Sequence, residues 1–109
     1  MAAVVKKWQT TLNVVGSIVT VVTSPATGSQ ISSVNLMNTN STTAKTVTIY
    51  VGGTGSAVAN MYQKITIQPN DFYFQDCSNC PMILGNAETI RMCQDVGTDV
   101  TATLFGLDT

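Results

Sequence analysis

A chain of 109 residues has room for one domain with one core and not for two. Its five basic and six acidic residues leave a net charge of -1, and only Lys6-Lys7 forms a basic pair, so nucleic acid is excluded as an expected partner. Histidine is absent, which removes the commonest general base, the commonest metal ligand and the usual partner of a Ser or Cys nucleophile, so no catalytic centre is expected.

Charged residues make up 10% of the chain, against about a quarter in an ordinary soluble domain, while hydrophobic residues reach 44%. Such a domain covers its outside with Thr, Ser, Asn and Gln or hides it against other subunits, and self-association is the expectation. Abundant Thr and Val, with Gly and Pro at the breaks, suit strands joined by turns.

Taken in order, residues 1–15 read as a short arm over 1–8 and a first strand, with Trp8 the largest side chain and Leu12 and Val14 on one face. Lys6-Lys7, the apolar stretch Leu12 to Val22 and Ser24-Pro25-Ala26 loosely mimic a signal peptide. Asn13, Gly16, Ser17 and Thr20 interrupt that stretch, which reads instead as two strands bent at Gly16-Ser17. It also falls short of the ~18 apolar residues a bilayer span requires, so no membrane partner is expected. Ile18 to Thr23 stops at a turn by composition, Ser24 to Ser29. Val34 and Leu36 then alternate with Ser33, Asn35 and Met37; in Lys45 to Val51 the apolar side is Val47, Ile49 and Val51.

Gly52-Gly53-Thr54-Gly55-Ser56 reads as a mobile surface loop. Ile65 and Ile67 mark the next strand, Pro69-Asn70-Asp71 turns the chain into Phe72-Tyr73-Phe74, and Met82-Ile83-Leu84 is a short apolar run. Thr89 to Cys93 and Val100 to Phe105, flanking the polar link Gln94 to Asp99, read as an antiparallel hairpin whose second strand is central. The expected architecture is all-β: a single antiparallel β-sandwich or jelly roll of about eight short strands. Its expected core is Val34, Leu36, Val47, Ile49, Ile65, Ile67, Ile90, Val100, Ala102 and Leu104.

Little else points to chemistry. Asp71, Glu88, Asp95 and Asp99 sit at turns or a strand start, where carboxylates cap or are solvated, and a calcium site on Asp95 and Asp99 has too few carboxylates. Cys77-Ser78-Asn79-Cys80 with Cys93 supplies three of the four ligands a structural zinc needs, so no metal or cofactor is expected. These cysteines read as reduced, half-buried thiols or as a disulfide from Cys93 to Cys77 or Cys80. Gly52-Gly53-Thr54-Gly55 lacks the Gly-Lys-Ser/Thr of a phosphate loop. Asn40-Ser41-Thr42 fits the glycosylation triplet, common by chance in so Asn- and Thr-rich a chain. Trp8, Tyr50, Tyr62 and Tyr73 are candidates for stacking on sugars, whereas Phe72 and Phe74 share a face expected to be buried. For docking, the apolar arm residues Ala2, Val4, Val5 and Trp8 are the candidate interface.

The layout over residues 30–108 resembles small bacteriophage virion proteins of the head-decoration, or cement, type and similar tail-associated proteins. The likeness lies in Ser33 to Thr39, Thr46 to Val51, the Ile-x-Ile-x-Pro segment Ile65 to Pro69, Glu88 to Arg91 and Asp99 to Gly106. Cys77-Ser78-Asn79-Cys80 stands outside that pattern. The resemblance implies a non-enzymatic virion protein, present in many copies, that binds the major capsid protein or other virion subunits and is assembled in the host cytoplasm. A carbohydrate-binding module of a tail fibre or surface protein, or a neck or tail structural component, is the alternative.

Overall fold

In the computed structural model the chain is described over residues 3–52, 60–77, 79 and 82–109. Among these residues the alternating runs form nine strands: β1 (Val4–Thr11), β2 (Val19–Thr23), β3 (Ser29–Asn38), β4 (Lys45–Val51), β5 (Met61–Ile67), β6 (Phe72–Asp76), β7 (Met82–Leu84), β8 (Thr89–Gln94) and β9 (Val100–Asp108). They build two antiparallel sheets, one ordered β1-β9-β3-β6 with β7 extending the β6 edge along β3, the other ordered β2-β8-β4-β5. The expected sandwich is the fold.

Period-two alternation places one side chain set between the sheets. Ile31, Val34 and Leu36 of β3, and Val100, Ala102 and Leu104 of β9, meet Val47 and Ile49 of β4 and Ile90 and Met92 of β8. Leu12, Val22, Ile67 and Leu84 close the margins of this core. All ten expected core residues lie in it; Ile65, on edge strand β5, is the one only partly buried. The bend expected at Gly16-Ser17 is a single 3-10 turn, Val15–Ser17, closed by Ser17 N–H donating to the Val14 carbonyl.

Two expectations are corrected. The run Glu88 to Leu107 is no hairpin: β8 pairs with β2 and β4, whereas β9 pairs with β1 and β3 in the opposite sheet. A six-residue polar link can turn a chain back beside itself or carry it over to the facing sheet, and here Gln94 decides. Its fully buried side chain donates to the Val96 carbonyl and to Asp99 Oδ1 and accepts from Val100 N–H, so the chain arches around one amide. Val100 does begin a central strand, as expected. Nor are residues 4–8 an arm. They are the first half of β1, paired with β9 from Val4 opposite Asp108 to Thr11 opposite Thr101. An exposed backbone edge on β9 satisfies their N–H and C=O groups better than solvent at a loose arm would.

The arch also sets the end of the sandwich. Leu12 N–H donates to the Val100 carbonyl and Gln94 N–H to the Asn13 carbonyl, so the segment leaving β1 passes between the sheets beneath the arch. On the opposite side of β9, Gly106 faces Ile31 across a bulge at Ser32. A Cβ at Gly106 would run into the Gln30 carbonyl, and the bulge fits only against glycine.

Candidate functional site

The outer face of the five-stranded sheet is read from its register. Four cross-strand rows run from the β1 edge to the β6/β7 edge: Val5–Leu107–Gln30–Ile83, Lys7–Phe105–Ser33–Asp76, Gln9–Thr103–Asn35–Phe74 and Thr11–Thr101–Met37–Phe72. Val5 is 86% exposed, Ile83 71%, Phe72 58%, Phe74 53% and Phe105 46%. Five of the ten exposed large hydrophobics among the described residues thus share this one face. Its charges are Lys7 and Asp76, at opposite edges of one row.

This corrects the expected burial of Phe72 and Phe74. Alternation correctly put them on a common side of β6, but the inner side belongs to Tyr73 and Gln75. The reason is a polar seam between edge strands β5 and β6: Gln63 Nε2 donates to Tyr73 Oη, Tyr73 Oη donates to Gln75 Oε1, and Gln75 Nε2 donates to Tyr62 Oη. Tyr73 and Gln75 can bond across the seam, and phenylalanine cannot. Sequence reasoning also missed Phe105, Leu107 and Ile83. The available signal was β9 itself, where the outward series Thr101, Thr103 gives way to Phe105 and Leu107.

The expected interface residues divide. Val5 stands on the exposed face. Val4 is exposed but on the opposite side of β1, and Trp8 faces inward, half-buried against the chain's own core beside Leu104. Ala2 lies outside the described residues. The sugar-stacking candidates do not share a surface: Trp8 and Tyr73 are turned toward the core, Tyr50 is buried, and Tyr62 is exposed at the seam. The loop expected to be mobile falls outside the described residues except for Gly52.

At the arch end, polar side chains close on one another. Asn38, fully buried, donates through Nδ2 to the carbonyls of Thr43, Ile67 and Gln68. Asp99 accepts from Asn40 Nδ2 at 2.8 Å and Gln94 Nε2 at 2.7 Å, with the buried Lys45 ammonium at 3.8 Å. The Asn40 amide nitrogen of the glycosylation triplet is therefore already engaged. These hydrogen bonds, from Asn40 first and Gln94 second, hold the Asp99 carboxyl below its ordinary value of 3.8, with a smaller contribution from Lys45. A carboxylate with a depressed folded pKa contributes stability that is complete above its unfolded pKa and is lost as pH falls through the folded one. Melting temperature is thus expected to fall below about pH 4, and Asp99→Asn to flatten that acid limb while lowering the neutral plateau; a pH series of thermal unfolding curves for both proteins checks it.

Three of the other acids serve turns, while Asp108 on β9 accepts from Ser29 Oγ and pairs with Lys6. Asp71 Oδ1 accepts from Phe72 N–H, Glu88 Oε1 from Gly85 N–H and Asp95 Oδ1 from Val96 N–H. Among the described residues no three Cys, Asp or Glu side chains converge as metal ligands.

The two described cysteines lie in different sheets. Cys93 is a free thiol, so neither Cys77 nor Cys80 is joined to it, and it is buried rather than half-buried. It sits in the row Lys64–Thr48–Cys93 of the four-stranded sheet, where burial pushes the thiol's pKa up and hydrogen bonds with Thr48 only partly offset this. Cys77 is buried at the end of β6 in the other sheet, its N–H donating to the Ser32 carbonyl, and Cys80 lies outside the described residues.

Compared with protein-family models, curated proteins and solved structures, the chain matches none.

Proposed function

We propose that this chain is a non-enzymatic structural subunit of a bacteriophage virion, a decoration or cement protein that binds the major capsid protein in many copies. The observation that carries the reading is the distribution of its surface: five of the ten exposed large hydrophobics among the described residues lie on one sheet face of a sandwich with only eleven charged residues in all. Exposed apolar side chains gathered on one face mark a surface that ends up against protein, and low charge favours assembly over free solution. The Thr/Val-rich strand layout that resembles head-decoration proteins supports reading that assembly as a virion. The turn-capping roles of Asp71, Glu88 and Asp95, and the bonding of Asp99 within the arch, fit a part whose polar groups maintain shape.

The test is to add the purified protein to phage shells assembled without it and to sediment them. Saturable co-sedimentation, with shells that withstand higher temperature or chelator, is the expected result. A protein that leaves the shells unbound and unchanged, and instead binds a glycan array through Phe72 or Phe74, points to a carbohydrate-binding module.

A further inference from the structure

We infer that β1 pairs along its free edge with β1 of a second copy of this chain, antiparallel about a two-fold axis that passes through the sheet at Trp8 and joins the two five-stranded sheets into one. This contact lies on the strand edge rather than on the apolar face, and it stands whether or not the assembly is a virion.

The backbone supplies the argument. Leu12 N–H donates to the Val100 carbonyl, and the uninterrupted register counts back from there, so Thr10, Trp8, Lys6 and Val4 turn their N–H and C=O groups toward β9. Val5, Lys7, Gln9 and Thr11 turn theirs outward. β1 has no second neighbour in its sheet, and among the described residues no other backbone or side chain bonds the N–H and C=O groups of these four. Such a row is a template for another strand, which repeats donors and acceptors at the same spacing. The other edges are less fit for it. β2 is bulged between Thr20 and Val22, β5 bulges at Tyr62, and the remaining edge is divided between the short strands β6 and β7.

The register selects the occupant. With Trp8 on the axis, Val5 lies opposite Thr11 and Lys7 opposite Gln9, and every outward group of both copies finds a partner. A slip of one residue sets outward groups against residues already bonded to β9. A slip of two sets Lys7 against Lys7 or Gln9 against Gln9, and leaves Thr11 or Val5 beyond the partner's strand. Lysine on an edge ordinarily keeps strands apart. Here Lys6 is held by Asp108 of its own chain at 3.7 Å, and both lysines face uncharged residues, Lys6 opposite Thr10 and Lys7 opposite Gln9. The half-buried Trp8 meets its own copy on the axis as a non-hydrogen-bonded pair, the kind that brings side chains closest, and aromatic pairs across strands are stabilising. Isologous pairing of one patch with itself is the commonest way for identical subunits to associate.

Sedimentation equilibrium and amide exchange of the full chain test this together. The wild type is expected to dimerise at micromolar concentrations. Raising the concentration is expected to protect the amides of Val5, Lys7, Gln9 and Thr11, while those of Lys6, Trp8 and Thr10, already bonded to β9, change little. Gln9 is exposed, so its substitution leaves the core alone. Gln9→Lys sets like charges against each other on both sides of the axis and is expected to weaken the dimer roughly tenfold, whereas Gln9→Glu faces Lys7 and is expected to tighten it by about as much. A wild type that stays monomeric at several hundred micromolar overturns the inference. So does a dimer whose Val5, Lys7, Gln9 and Thr11 amides gain no protection, or one that Gln9→Lys and Gln9→Glu affect alike. Shell binding is read separately by co-sedimentation: a β1 dimer that leaves shells bare removes the virion reading and keeps the pairing, and a monomer that binds them does the reverse.

Discussion

Leu104→Ala is expected to lower the unfolding free energy by about 3 to 4 kcal/mol and the melting temperature by roughly 15 °C. Leu104 is fully buried on the central strand of the five-stranded sheet, between Trp8 of β1 and Val34 of β3. The loss combines transfer of its side chain back to water with a cavity that neither neighbouring strand can collapse to fill, because both are held by ladder hydrogen bonds. Urea unfolding should show a lower midpoint with an unchanged slope. Leu107→Ala, three residues on and on the outer face, is the control; in dilute monomer it should cost well under 1 kcal/mol. Equal effects at the two positions would mean that β9 faces the other way.

Gln94→Leu is expected to cost about 3 kcal/mol although it makes the interior more apolar. Leucine fills the space but strands the Val100 N–H and the Val96 carbonyl, and it takes from Asp99 one of the two hydrogen bonds that keep it ionised. Unfilled polar groups in a buried arch are worse than a smaller core, which is why the substitution loses despite added hydrophobicity. Amide exchange gives the specific readout: Val100 N–H should lose protection far more than the β9 amides deeper in the ladder, whereas a general loosening would affect them alike.

How much of this was legible in the residues depends on what alternation can and cannot say. Val47, Ile49 and Val51, or Val100, Ala102 and Leu104, repeat strictly, and burial on both sides of the core left one solution for each strand. On β6 the pattern Phe72-Tyr73-Phe74-Gln75 also said which residues share a face, yet both faces looked plausible as the inner one. The choice was made by hydrogen-bond partners on β5, 10 and 13 sequence positions away and invisible until the seam is built. The hairpin was misread for a related reason: Gln94 to Asp99 has turn composition, and composition does not distinguish a turn within a sheet from an arch between sheets. The apolar outer face was the least legible, because it is spread over five strands and each contributes only one or a few of its residues.

The pairing of β1 with β9 has a consequence for how the protein comes into being. Val4 lies opposite Asp108, so the earliest strand waits for the latest, and β9 is also the strand that holds β3 in place. During synthesis the five-stranded sheet therefore lacks its central member until almost the whole described chain has left the ribosome, while β4 and β5 can zip as soon as they emerge. Contacts so distant in sequence fold slowly, in milliseconds to seconds, and the incomplete chain meanwhile exposes bare sheet edges to its neighbours. Until β9 closes, those unpaired edges are the places where an incomplete chain is prone to pair with another.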